Sequence, residues 1–208
     1  AGVLAGGGNV ALSATNDVNV LSTTENHLSD TAIHRESSST FKKSSYTTTD
    51  YSAATLVVGS SISGDNVSIA AGNDIVIGAS QVRAEDALVL GAGRDLVLTT
   101  AESTSSEHHT HQEKKSGFSL SADGFGYSKG ENKQASNGDA VTQVGSYLSG
   151  GSVSTVSGRD TQIKGSTVVA DDNIAINAGR DLSIVSAENR ASEDSSSSSK
   201  KSGMIGTF

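Results

Sequence analysis

The chain has 208 residues, no cysteine, proline or tryptophan, 23 glycines and a formal charge of −8. This acidity argues against a nucleic-acid partner, which would want a basic face, and gives no reason to expect an anionic membrane surface. Hydrophobic residues make up 34% and aromatic residues 4%, too few for a large globular core but enough for a narrow one if they are concentrated in repeated strands.

No apolar run reaches the length of a transmembrane helix, and Ala1-Gly2-Val3-Leu4 has neither the charged nor the apolar region of a signal peptide. The chain opens inside a repeat and closes on Lys200-Lys201-Ser202-Gly203, so it reads as a piece of something longer. The absence of cysteine suits a cytosolic protein and equally a secreted one that crosses a membrane without becoming cross-linked.

Five copies of one pattern follow in order, at residues 9–20, 66–77, 87–98, 152–160 and 173–184. In the second and third, a short alternating run (Val67, Ile69; Leu88, Leu90) meets a Gly-x-Asp corner, and a second run follows (Ile75, Ile77; Leu96, Leu98). Period-two alternation on both sides of a glycine corner predicts strand, turn, strand. The corner aspartates Asp17, Asp74, Asp95, Asp160 and Asp181 are separated by 57, 21, 65 and 21 residues. A recurring spacing near 21 is the signature of a solenoid, here interrupted by two large insertions.

Each copy also has an apolar residue 12 or 13 positions before its aspartate, namely Leu4, Ile62, Val82, Leu148 and Val168, which predicts three short strands per turn. Strands joined by short turns, with no amphipathic helix between them, predict a parallel β-helix of about 21 residues per coil, its inward residues stacked in columns ~4.8 Å apart. The coils fall near residues 1–22, 56–99 and 145–185 of a single β-helix domain.

Insertions occupy residues near 23–55, 100–144 and 186–208, and they are themselves repeated. Ser/Thr-rich segments lead from Glu25, Glu102 and Glu188 to Lys42-Lys43, Lys114-Lys115 and Lys200-Lys201, at distances of 17, 12 and 12 residues. In the second, Phe118-Ser119-Leu120-Ser121 and Phe125-Gly126-Tyr127-Ser128 flank Ala122-Asp123-Gly124. Asp-Gly between alternating runs predicts a projecting β-hairpin, whereas the polar stretches before it have little to bury and are compatible with extended strand or mobile loop.

The units Gly59-Ser60-Ser61-Ile62, Ala71-Gly72-Asn73-Asp74, Ala92-Gly93-Arg94-Asp95, Gly145-Ser146-Tyr147-Leu148 and Ala178-Gly179-Arg180-Asp181, with the Ser/Thr-Ala-Glu and Lys-Lys-Ser segments, resemble the haemagglutinin repeats of filamentous-haemagglutinin-like exoproteins. Asp17, preceded by Thr15-Asn16, departs most from the pattern, and Thr155 and Thr161 loosen the fourth copy. The resemblance implies a right-handed β-helix within a long Gram-negative exoprotein, secreted to the cell surface through an outer-membrane two-partner secretion transporter. It also implies contact with a target-cell surface, through protein or glycan, in adhesion or in contact-dependent delivery of a C-terminal toxin.

The corner aspartates invite a catalytic or calcium reading, but the nonapeptide rhythm of calcium-binding solenoids is absent. A side-chain cap on a turn, after a glycine in an unusual backbone conformation, accounts for them better, and makes Asp17, Asp74, Asp95, Asp160 and Asp181 structural turn residues. Arg94, Arg159 and Arg180 precede three of them and predict a solvated charge ladder, with an acidic-glycan site as the lesser alternative. His108, His109 and His111, beside Glu107 and Glu113, form the one dense group of metal-ligand types; the same group in a solvated loop has no role. No strained Gly-x-Ser-x-Gly elbow and no phosphate loop is present, so the expectation is a non-catalytic segment without a cofactor. The competing class is a carbohydrate-active β-helix enzyme or glycan-binding module, which would need a cleft with a non-repeated set of groups.

Overall fold

The computed structural model describes residues 1–5 and 7–207, which are all β with no helix. Three short strands come first, β1 (Gly2–Leu4), β2 (Val10–Ala14) and β3 (Val18–Leu21), then two long ones, β4 (Thr23–Ser38) and β5 (Lys42–Val58). Six short strands follow: β6 (Ser61–Gly64), β7 (Val67–Ala71), β8 (Ile75–Gly78), β9 (Gln81–Ala84), β10 (Ala87–Ala92) and β11 (Leu96–Thr99). After the long β12 (Ala101–Ser121) and β13 (Gly124–Val144) come β14 (Tyr147–Ser157), β15 (Thr161–Lys164), β16 (Thr167–Ala178), β17 (Leu182–Val185) and β18 (Arg190–Thr207). The chain divides into two compact units, one of residues 1–25, 55–103 and 141–190, the other of residues 26–54, 104–140 and 191 onward.

The first unit consists of parallel strands stacked coil on coil, the arrangement of a β-helix. One sheet of eight strands runs β1-β6-β9-β14-β10-β7-β2, with β16 on β14, and a second of five runs β17-β15-β11-β8-β3. Register brings equivalent repeat positions together. Val10, Val67, Leu88, Val153 and Ile174 make one column, and Leu12, Ile69, Leu90, Thr155 and Ile176 the next. Across the corner, Val18, Ile75, Leu96, Thr161 and Leu182 form a third column, and Val20, Ile77, Leu98, Ile163 and Ile184 a fourth.

Alternation puts every second residue of each strand inside, so the middle coils bury their aliphatics almost fully: Val67, Ile69, Ile75, Ile77, Leu88, Leu90, Leu96 and Leu98 are at most 1% exposed. Each such side chain contributes roughly 1.5–3 kcal/mol relative to exposure. The two ends of the stack differ: Val10 and Val20, on the edge strands β2 and β3, are still only 7% exposed. Leu182 and Ile184, whose strand pairs on one side only, are 50% and 66% exposed.

Two expectations from the sequence need correction. Leu4 does not belong to the inward column before the corners: Val3 is the partner of Ile62, and Leu4 is 79% exposed. Coil one has a longer connection between its first two strands than the later coils, which displaces the spacing by a residue. The coils also do not all have three separate strands. β14 and β16 run through the first bend without a break, with a register irregularity between Gly150 and Ser152.

The second unit is one sheet, ordered β18-β13-β12-β5-β4. Residue pairs show its sense: Thr48 faces His111 and Asp50 faces His109, while Gln112 faces Glu131 and His108 faces Asn137. Numbers rise on one strand as they fall on the next, so β5, β12 and β13 are antiparallel. The β12–β13 turn falls at Ala122-Asp123, and the polar stretches are long strands. Their Ser and Thr side chains, β-branched or small, bond across strands instead of packing a core, as between Thr49 and Thr110.

Polar Thr155 occupies the Leu12–Ile69–Leu90 column, 2% exposed, and its hydroxyl has no partner among the described residues. Removing that orphan hydroxyl stabilises: Thr155→Val should raise the urea midpoint of the chain by the equivalent of about 1–2 kcal/mol. Leu90→Asp, one coil away, should cost more than about 4 kcal/mol and abolish the cooperative transition followed by circular dichroism.

Candidate functional site

The Gly-x-Asp corner is the most repeated chemical feature of the chain, and its geometry begins with the backbone. Gly72, Gly93, Gly158 and Gly179 stack directly over one another. A Cβ on Gly93 would lie 2.1 Å from the Gly72 carbonyl oxygen, one on Gly158 2.1 Å from that of Gly93, and one on Gly179 2.2 Å from that of Gly158. The corner glycines are therefore required by close approach of successive coils. This corrects the expectation of an unusual conformation, because the glycines with positive φ among the described residues are Gly7, Gly124 and Gly165. Hydrogen bonding runs through the corner without a gap, from Gly93 N–H to the Ala71 carbonyl (2.9 Å) and from Arg94 N–H to that of Asn73 (2.8 Å).

One residue further on, the aspartate side chain takes the acceptor's place. Asp74 N–H donates to Asp17 Oδ1 (3.1 Å), Asp95 N–H to Asp74 Oδ1 (3.1 Å), and Asp160 N–H to Asp95 Oδ1 (3.2 Å). The Asp181 amide also helps hold the Asp160 carboxyl below its ordinary range. The carboxylates of Asp17, Asp74 and Asp95 thus each cap an amide of the next coil. Asp17, which lacks the preceding glycine, takes part fully: Thr15 supplies the carbonyl against which Gly72 packs.

Arginines close the ladder on the solvent side. Arg94 Nε donates to Asp74 Oδ1 and Arg180 Nε to Asp160 Oδ1, both at 2.8 Å, with Nη2 of each on the second oxygen. Arg159 makes a single contact to Asp95 Oδ2 at 3.2 Å. The Arg94 fork, joined by the Asp95 amide, holds the Asp74 carboxyl below the usual carboxylate range, and Arg180 does the same for Asp160. The arginine side chains are about half exposed, so each pair is solvent-screened.

Further ladders went unread in the sequence. Asn66 Nδ2 donates to Asn9 Oδ1 (2.9 Å) and its Oδ1 accepts from Ala87 N–H (3.2 Å). Ser146 Oγ donates to the Ile77 and Thr99 carbonyls at 2.8 and 2.9 Å, and Ser166 Oγ accepts from Ser146 N–H at 3.1 Å. The signal was present: serine follows glycine in Gly59-Ser60, Gly145-Ser146 and Gly165-Ser166 at matching repeat positions.

The histidines lie on β12 of the second unit, where alternation separates them. His109 and His111 share one face, bonding through Nδ1 to Asp50 and to Thr48 Oγ1 (3.0 Å for the latter), while His108 bonds to Asn137 from the other. Among the described residues no three His, Cys, Asp or Glu side chains converge as a metal site.

Two outcomes follow. Gly93→Ala, which drives a methyl into the Gly72 carbonyl, should destabilise the chain by about 1–3 kcal/mol or more, whereas Asp95→Asn, which keeps the Oδ1 acceptor, should leave the thermal midpoint nearly unchanged; equal losses would refute the capping role. A carboxylate with a depressed folded pKa stabilises at pH above its unfolded value, about 3.9, and that contribution disappears as pH falls through the folded value. The urea midpoint should therefore be level from about pH 7 to 5 and drop below about pH 4, and a double Asp74→Asn, Asp160→Asn variant should show a shallower drop.

Comparison with known proteins gives the same pattern a wider setting. The family model described as haemagglutinin repeat matches residues 38–201. The chain is 29% identical over 201 residues to the tRNA nuclease CdiA-2 of Burkholderia pseudomallei, covering 95% of the chain and 6% of that protein. It is 31% identical over 70% of its length to the 16S rRNA endonuclease CdiA of Enterobacter cloacae, and 32% identical over 72% to the toxin CdiA of Yersinia pestis, which it covers to 4% and 5%. No solved structure matches. The chain belongs to the haemagglutinin-repeat family, the secreted, surface-exposed exoproteins of Gram-negative bacteria that include filamentous-haemagglutinin-like and contact-dependent inhibition proteins.

Proposed function

We propose that this chain is a non-catalytic β-helical segment of a contact-dependent inhibition exoprotein, and that it serves delivery of a C-terminal toxin into, or adhesion to, neighbouring bacteria. One observation carries the reading: the similarity extends over 95% of the chain yet over only 6% of a relative named for its nuclease. A segment matched in that way is scaffold common to proteins of different named activity, tRNA and 16S rRNA nucleases among them.

In this reading the coils near residues 1–22, 56–99 and 145–185 form a right-handed helix; its length of about 21 residues per coil is supported by the register of Leu88 on Val67 and Ile174 on Val153. The insertions near 23–55, 100–144 and 186–208 belong to the same domain. Asp17, Asp74, Asp95, Asp160 and Asp181 act as structural turn residues, which their repetition in every coil supports; a catalytic group would be needed in one place. Export runs through an outer-membrane two-partner secretion transporter. The segment's working partner is the surface of the target cell.

An in-frame deletion of these residues from the parent protein tests this in co-culture. Delivery predicts that the shortened protein still reaches the surface and binds target cells while growth inhibition is lost at least about tenfold; adhesion predicts that binding is lost as well. Undiminished inhibition would overturn both.

A further inference from the structure

The second unit carries a feature that neither the corner ladder nor the family assignment uses. A trough of about 660 Å³ opens among β4, β5, β12, β13 and β18, within the size range of small-ligand sites. Lys42, Lys43, Lys115, Lys129 and Lys201 line it against a single carboxylate, Glu113. They come from all three copies of the Lys-Lys-Ser motif, with Lys129 added from β13. Eight of the nine lysines in this acidic chain lie in the second unit, so its trough is a positive site on a protein of charge −8.

Internal pairing leaves much of that charge uncommitted. Lys115 lies 2.6 Å from Glu113 and Lys43 lies 3.7 Å from Glu36. Lys115 holds the Glu113 carboxyl below its ordinary range. Lys42, Lys129 and Lys201 have no carboxylate within ion-pair distance among the described residues. Three like charges held around one cavity repel, and an anion bound among them relieves that repulsion.

The lining also narrows the chemistry. It includes no arginine, so there is no planar fork for bidentate recognition; ammonium groups act as point charges and suit singly spaced anionic groups on a flexible chain. Seven serines supply hydroxyls that donate and accept. Phe118, 57% exposed at the rim and held against Tyr127 at 4.9 Å between ring centroids, offers an apolar face to a sugar ring. Gly130 on the lining leaves space: an added Cβ would meet only the Lys200 carbonyl oxygen, at an ordinary 3.9 Å.

We propose that this trough binds a sulphated or phosphorylated oligosaccharide. The proposal names a ligand class for the target-surface contact described above and rests on that reading. The test is the affinity of the full 208-residue chain for fluorescent dextran sulphate oligomers in about 0.15 M salt. Binding is expected, with none to uncharged dextran. A triple Lys42→Gln, Lys129→Gln, Lys201→Gln variant should lose about tenfold or more. Gly130→Phe, which fills the trough, should lose a similar factor with an unchanged melting curve, and Lys164→Gln, on a strand of the first unit, should bind as the parent does. No binding, equal affinity in the triple variant, or equally tight binding of an oligonucleotide of matched charge would overturn the proposal. Any of these would leave the delivery reading untouched, since that is decided by inhibition in co-culture.

Discussion

Everything in the first unit depends on how closely two coils can approach at the corner. Parallel strands hydrogen-bond at ~4.8 Å, and continuing that ladder around a bend brings backbone against backbone. At Gly72, Gly93, Gly158 and Gly179 the preceding coil's carbonyl lies where a Cβ would be. With glycine there, the amides of Gly93 and Arg94 keep their partners in the preceding coil. Without it the coils would separate at one edge, and the columns led by Val67, Ile69, Ile75 and Ile77 would lose their contacts together.

The same closeness explains why the corner is charged. One backbone amide per coil, at the aspartate, finds a carboxylate instead of a carbonyl, and the Oδ1 of Asp17, Asp74 and Asp95 fills that place in turn. Stacking carboxylates at this spacing builds up like charge, which Arg94 and Arg180 offset by forking onto the aspartate one coil back. Residue 73 is asparagine, and among the described residues no arginine forms an ion pair with Asp17: Arg94, Arg159 and Arg180 reach Asp74, Asp95 and Asp160. The arginine ladder is thus a response to accumulated charge and the amide cap is the constant element.

Much of this was legible because repetition multiplies a weak signal. Alternating pairs such as Leu88 and Leu90 identify inward positions, and a spacing of 21 between Asp74 and Asp95 aligns them. Spacing failed where a connection differed in length, so that Leu4 stood in for Val3. The long polar strands were ambiguous for a physical reason: they bury no aliphatic stripe, and their order comes from cross-strand contacts such as Thr48 to His111, which pair residues 63 apart. The close approach at the corner glycines could not be read either, since a glycine selected for space and one selected for positive φ look alike in sequence. The lysine pairs were visible as a motif, but their convergence on one trough depends on the order β18-β13-β12-β5.

The insertions recur in a fixed order along the chain. Long strands leave after β3, β11 and β17, whereas β8 passes to β9 and β15 to β16 through a few residues. Insertion and short turn therefore alternate from coil to coil. The separations of 57, 21, 65 and 21 between corner aspartates are the sequence form of this alternation. Because each insertion repeats the same Lys-Lys-Ser segment and the long strands pair in one sheet, Lys42, Lys115 and Lys201, each from a different repeat, reach the lining of one trough.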